Sequence, residues 1–195
     1  MDQRVAMTLN EWAWAHPAWR YFVEAIARWG ILLLPAAVAA GALWPRRGAA
    51  TSRRAALAAA LAVVVAGLSA LALGAFIERP RPFVAMPLSP LFPHAANSSF
   101  PSDHTLLGVA MAGPLLWYVP RVGVWLVLWA LVVGLARVVG GVHYLSDVLG
   151  SAALATMPVA VGVLAGEWLL RVLPPPILAP LGFQRRGIGR SRSNG

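Results

Sequence analysis

The sequence predicts an all-α fold: an integral membrane bundle of five to six transmembrane helices. Three observations predict it. Hydrophobic residues make up 59% of the 195 positions and charged residues only 12%, too little polar sequence to cover a soluble globule of that length. Apolar runs of roughly bilayer-spanning length recur along the chain, and no block of soluble character exceeds about thirty residues. Finally, the 16 basic residues, all arginine, outnumber the 7 acidic ones and gather at the ends of apolar runs and in the tail. There they meet anionic headgroups and set orientation, so the partner is a bilayer and not nucleic acid. Cysteine is absent, which excludes disulfides and thiolate metal sites.

Each element follows in order. Residues 1–29 form an N-terminal interfacial segment, with Trp12, Trp14, Trp19 and Trp29 as belt aromatics and Glu24 and Arg28 spaced to pair on a helix. The first span starts at Tyr21 or Ile31 and ends at Trp44, before a basic loop with Arg46, Arg47, Arg53 and Arg54. Residues 55–77 are the second span, with Gly67, Ser69 and Gly74 for close helix packing. Prolines at 80, 82, 87, 90, 93 and 101 then exclude a continuing helix and make residues 78–101 an ordered loop. Residues 102–119 are short for a span and interrupted by Pro114, which fits a helix that starts inside a depression. The fourth run, 122–139, ends in Arg137 and the Gly140-Gly141 break, and the fifth, 148–173, carries Glu167 and Arg171 at pairing distance. Residues 1–183 thus make one domain, and 184–195 a basic, disordered cytoplasmic tail.

Orientation brings distant residues together. With the 46–54 arginines inside the cell, the second span runs outward and Arg121 and the tail also fall on the cytoplasmic side. The loop ending at His104 and the turn from Arg137 to Asp147 then share the outer face of the cell membrane. Two imidazoles, several guanidiniums, a hydroxyl and a helix N-terminus suit a phosphoryl group, whose transition state spreads charge over three oxygens. In this reading His143 is a nucleophile aimed at phosphorus, Asp147 four positions on accepts from its Nδ1–H, and Arg137 holds the phosphate.

Blander readings exist for each residue. Arg137 alone could be a snorkelling anchor. A serine-hydrolase reading of Ser102-Asp103-His104 fails because adjacent side chains do not face one another as a triad must. A metal site of His104, His143, Asp103 and Asp147 has the right atoms, but the arginines around it repel a cation, so neither metal nor cofactor is expected. His16 and His94 have no supporting partners and read as surface or loop residues, and Glu78 reads as a charge partner for Arg79.

In that order, Arg81-Pro82, Pro101-Ser102-Asp103-His104 and then Arg137, His143 and Asp147 resemble the three signature motifs of the type 2 phosphatidic acid phosphatase (PAP2) superfamily. The runs Arg-Pro-Arg-Pro-Phe, Ser-Phe-Pro-Ser-Asp-His and Gly-Val-His-Tyr are similar to those of its bacterial undecaprenyl-diphosphatases. The resemblance covers residues 78–147. It implies a helical membrane bundle in which His143 becomes phosphorylated and His104 acts as general acid and then assists water. Arg81, Ser102 and Arg137 would bind the phosphate, with Arg79 and Asp103 beside them and no metal. Polyprenyl diphosphate is the implied substrate and its monophosphate the product. Alternatives are a phosphatase or phosphotransferase for another lipid phosphate, such as phosphatidic acid or phosphatidylglycerophosphate, or a non-catalytic lipid-phosphate-binding protein. Three positions depart from the family pattern. Gly74 stands where the first motif opens with Lys, for which Arg79 is the expected replacement; Ala136 stands where Ser is usual, and Asp103 where Gly is commoner.

Overall fold

His16 and Pro17 divide the N-terminal region in two. In the computed structural model, which describes residues 1–43 and 49–179, helix α1 (Asp2–Ala15) stops at His16. Helix α2 (Pro17–Trp29) then opens on a proline, at the one helical position where a missing N–H costs nothing. A 3-10 turn (Gly30–Leu32) joins it to α3 (Leu33–Leu43), so Pro17–Leu43 forms one apolar stretch of 27 residues. The segment expected to lie at the interface therefore separates: α1 packs across the end of the bundle and α2 belongs to a span. Arg28 and Glu24 pair at 2.8 Å, as their spacing predicts.

The chain continues through α4 (Ala49–Phe76), a single turn α5 (Pro82–Ala85), α6 (Asp103–Tyr118), α7 (Pro120–Val139), α8 (Leu145–Leu154), α9 (Thr156–Val172) and a last turn α10 (Pro175–Leu178). Four stretches among the described residues are long and apolar enough to cross a membrane: Pro17–Leu43, Ala50–Phe76, Pro120–Val139 and Leu145–Val172. Helix α6, at 16 residues, is shorter, yet it occupies the centre, in contact with α3, α4, α7, α8 and α9. It runs on through Pro114, whose ring is fully buried, so the expected interruption does not occur.

Small side chains let these helices approach. Ala62, Ala66, Ala110, Ala112, Ala130 and Ala155 interlock with Leu34 and Leu106 in the main core, and a Cβ added at Gly162 would lie 2.4 Å from the Ala58 carbonyl oxygen. The glycines read as packing points in α4 do something else. A Cβ at Gly67 or Gly74 would meet nothing within 4 Å, because α4 packs through Ala55, Ala58, Ala59, Ala62 and Ala66, and the two glycines face away from that stripe.

The exterior is apolar. Leu68, Leu71, Phe76, Trp117, Trp125, Leu164 and Trp168 are each at least 60% exposed, a surface that only hydrocarbon covers without penalty. The chain is a multi-pass membrane protein. At the end of the bundle away from α1, Glu167 accepts from Arg54 at 3.2 Å and from the Tyr118 hydroxyl at 2.9 Å. Arg46, Arg47 and the 184–195 tail lie outside the described residues.

Candidate active site

Four helix ends meet beneath α1: the end of α4, the start of α6, the end of α7 and the start of α8. The turn between the last two makes the meeting possible. Gly141 has φ 75°, the left-handed region that glycine enters freely, and a Cβ there would lie 2.7 Å from Leu88 Cδ1. The chain so reversed delivers His143 into the interior, 1% exposed.

The imidazole is oriented by backbone. His143 Nδ1 lies 2.7 Å from the Ser99 carbonyl oxygen, so Nδ1 carries the proton and donates. Its Nε2 therefore presents a lone pair, which faces Arg81 Nη1 at 3.1 Å. Asp147 Oδ2 stands 3.7 Å from Nδ1, close enough to act on it as a charge but beyond hydrogen-bonding range. The expected bond to Nδ1–H does not form because α8 starts at Leu145, leaving Asp147 in the first turn. From there its Oδ2 accepts from the Tyr144 N–H at 2.8 Å, and its Oδ1 pairs with Arg79.

Two guanidiniums act on the imidazole, Arg81 by direct contact and Arg137 as a nearby charge. Arg81, 2% exposed, donates to the Val142 carbonyl at 2.8 Å and to Asn97 Oδ1 at 3.0 Å, and burial lowers its affinity for its proton. Arg137, 4% exposed, donates through Nη1 to the Ala27 carbonyl at 3.1 Å and reaches His104 Nε2 at 3.4 Å. Its Nη2 meets His94 Nε2 at 2.7 Å. Arg137 Nε and Ser99 Oγ are buried without a hydrogen-bond partner among the described residues. A buried guanidinium with an unpaired N–H can donate to an anion's oxygen.

The structure thus brings together Arg81, Arg137, His104 and His143, and places Ser102 and Asp103 at their edge. Ser102 is fully buried, with its N–H on Ser151 Oγ at 2.8 Å and its hydroxyl 3.1 Å from Thr105 Oγ1, while Asp103 is exposed in the first turn of α6. Arg79 goes elsewhere: its guanidinium pairs with Asp147 and with Asp2, not with Glu78. His94, read as unpartnered, enters the site from the proline-rich loop. Its ring centroid lies 6.4 Å from that of His143, and burial first, then the nearby arginines, lower its affinity for a proton. Ser99, Asn97 and His94 lie within ten residues of His104, but only the threading of the loop, anchored where Leu91 N–H donates to the Gly140 carbonyl, brings them in.

Beside this cluster a groove of about 620 Å³ runs down α4. Arg81, Asn97 and Asp103 form its polar mouth, and Gly74, Leu71, Gly67 and Val64 its apolar length.

The sequence profile described as the PAP2 superfamily matches residues 55–170, more than half of the chain. The chain belongs to the PAP2 superfamily. Among curated proteins, it is 40% identical over 95 residues to the undecaprenyl-diphosphatase BcrC of Bacillus subtilis (strain 168), covering 47% of this chain and 49% of that protein. It is 36% identical over 98 residues to the bacitracin transport permease protein BcrC of Bacillus licheniformis, covering 49% and 48%. The chain thus spans about half the length of these relatives. Two solved structures share the fold. Aquifex aeolicus LpxE superposes with a TM-score of 0.66 at 22% identity, over 83% of this chain and 94% of that one. The first transmembrane PAP2-type phosphatidylglycerolphosphate phosphatase from Bacillus subtilis superposes at 0.65 and 24% identity, over 88% and 87%.

Proposed function

We propose that this PAP2 protein is a membrane lipid phosphatase that hydrolyses polyprenyl diphosphate to the monophosphate at the extracytoplasmic face, through a phosphohistidine on His143. One observation carries the reading: a buried imidazole held by a backbone carbonyl at Nδ1, with its Nε2 lone pair facing the Arg81 guanidinium and Arg137 close enough to act on the ring as a charge. Burial pulls His143 down to about 4, so it is an unprotonated nucleophile at neutral pH.

The terminal phosphate binds Arg81 and Arg137, and Arg137 Nε and the Ser102 region serve its remaining oxygens. Nε2 attacks phosphorus, the bond to the bridging oxygen breaks, and the lipid monophosphate leaves with the electron pair. That leaving group is itself a phosphate, so the demand on His104 as acid is small. Water then attacks the phosphohistidine, His104 takes its proton, and cleavage of the N–P bond frees inorganic phosphate and restores His143. The groove supports a lipid as substrate, since an apolar chain lying along α4 would place its anionic head at Arg81. The undecaprenyl-diphosphatase relative supports the polyprenyl class.

Phosphate release from a panel of lipid mono- and diphosphates in liposomes, with chelator present, tests the proposal. Polyprenyl diphosphate is expected to be hydrolysed fastest, with an acid-labile phosphoprotein trapped in wild type and absent from His143→Ala, which releases no phosphate. A fully active His143→Ala protein would remove the nucleophile assignment, and preference for phosphatidic acid or phosphatidylglycerophosphate would change the substrate.

A further inference from the structure

Asp147 is a fully buried carboxylate beside His143, and part of its support comes from outside the segment that matches the family. Arg79 Nη1 pairs with Asp147 Oδ1, while Nη2 of the same guanidinium binds Asp2 Oδ2 at 2.7 Å. Asp2 in turn accepts from the Ser146 N–H at 3.1 Å and from the Ser146 hydroxyl. The guanidinium lies over the Tyr144 ring, 4.3 Å from its centroid. Asp2 stands in the first turn of α1, and α1 is fixed at two further points, the end of α7 and the proline-rich loop. Asn10 donates to the Val139 carbonyl at 3.1 Å, and the Trp14 indole donates to the Ser89 carbonyl at 2.9 Å.

We infer that α1 is a working part of the active site, in which Asp2 and Arg79 are positioning residues that hold Asp147 and the turn bearing His143. A buried carboxylate needs paired charge and hydrogen bonds, and Asp147 has two sources of them, Arg79 and the Tyr144 N–H. Arg79 is a long side chain, 33% exposed, that unrestrained would spread over many rotamers. Asp2 fixes its far nitrogen, so one guanidinium spans two carboxylates and is drawn away from the phosphate. With Asp147 so fixed, its second oxygen holds the Tyr144 N–H, and the residue before Tyr144 is the nucleophile. Asp2 lies outside the 55–170 segment, so this support belongs to the whole chain and not to the matched domain alone.

The inference rests on the phosphatase reading for its kinetic consequence, and two measurements on the full chain separate them. In liposomes with polyprenyl diphosphate, Asp2→Ala is expected to lower kcat roughly fivefold and Arg79→Ala roughly thirtyfold, each with KM within about twofold of wild type. The double variant is expected to match Arg79→Ala alone, since Asp2 acts through Arg79. A raised KM with kcat unchanged in Arg79→Ala would make Arg79 a phosphate ligand and overturn the inference, as would wild-type kinetics in Asp2→Ala. Hydrogen exchange without substrate is the second measurement. Faster exchange confined to residues 143–148 in both variants is expected, and unchanged exchange would sink the idea. If wild type hydrolyses no lipid phosphate, the phosphatase reading falls while exchange still decides the anchor. Asp2→Ala, a partly exposed site, carries the test where Arg79→Ala does not fold.

Discussion

At His143 the ordinary imidazole value of 6.5 falls to about 4, chiefly through burial; Asp147 pushes it back up, and Arg137 and Arg81 add to the depression. The sign has a direct consequence for activity. A depressed value keeps the imidazole unprotonated through pH 6.5 and charges it only near 4, so, if His143 is the nucleophile proposed above, the acid limb of kcat/KM is expected near pH 4 and not at the ordinary histidine value. A pH profile from 3.5 to 8 (about that range suffices), run with Asp103→Asn as a control for the exposed carboxylate, checks this. A limb near 6.5 would show an imidazole in contact with water. The same neutrality lets the His143 lone pair face Arg81 Nη1 at 3.1 Å, a contact that the proposed mechanism would have a phosphoryl oxygen displace.

Among the elements, the turn between α7 and α8 does most to define the site. Gly141→Ala is expected to cost about 1–2 kcal/mol for left-handed backbone alone, with more from the contact against Leu88, and so to lower the thermal unfolding midpoint in detergent. This is also where sequence reading reached its limit. That Arg81, His104, Arg137 and His143 would share one end of a helical bundle followed from counting spans and arginines. That Asp147 would cap Tyr144 did not, because moving a helix start by one or two residues redirects a carboxylate from imidazole to backbone. Ser99 holds His143 through a carbonyl, a group every residue owns, so no side-chain pattern announces it. His94 and Asp2 reach the site over chain separations of 43 and 77 residues from their partners Arg137 and Arg79, and such pairings are settled by tertiary packing alone.

For the whole molecule, the departure at Gly74 takes on meaning. Where a longer side chain would lie across the groove, Gly74 leaves it open below the Arg81 mouth, and from Gly74 to Val64 is roughly 15 Å of helix at about 1.5 Å per residue. Gly74→Leu is expected to leave the fold intact, since a Cβ there meets nothing within 4 Å, but to raise KM for a long-chain polyprenyl diphosphate about tenfold. Hydrolysis of a short, soluble diphosphate is expected to change less than twofold, and equal losses on both would show that the groove does not take the chain.

Because Val64, Leu68 and Leu71 on the groove wall are each more than 60% exposed, the groove faces sideways into the hydrocarbon and not up into water. Its occupant would arrive by diffusing in two dimensions. The concentration that governs the rate is then the mole fraction of substrate in the plane, and diluting a fixed amount of polyprenyl diphosphate with inert phospholipid should slow turnover although nothing in the aqueous volume has changed.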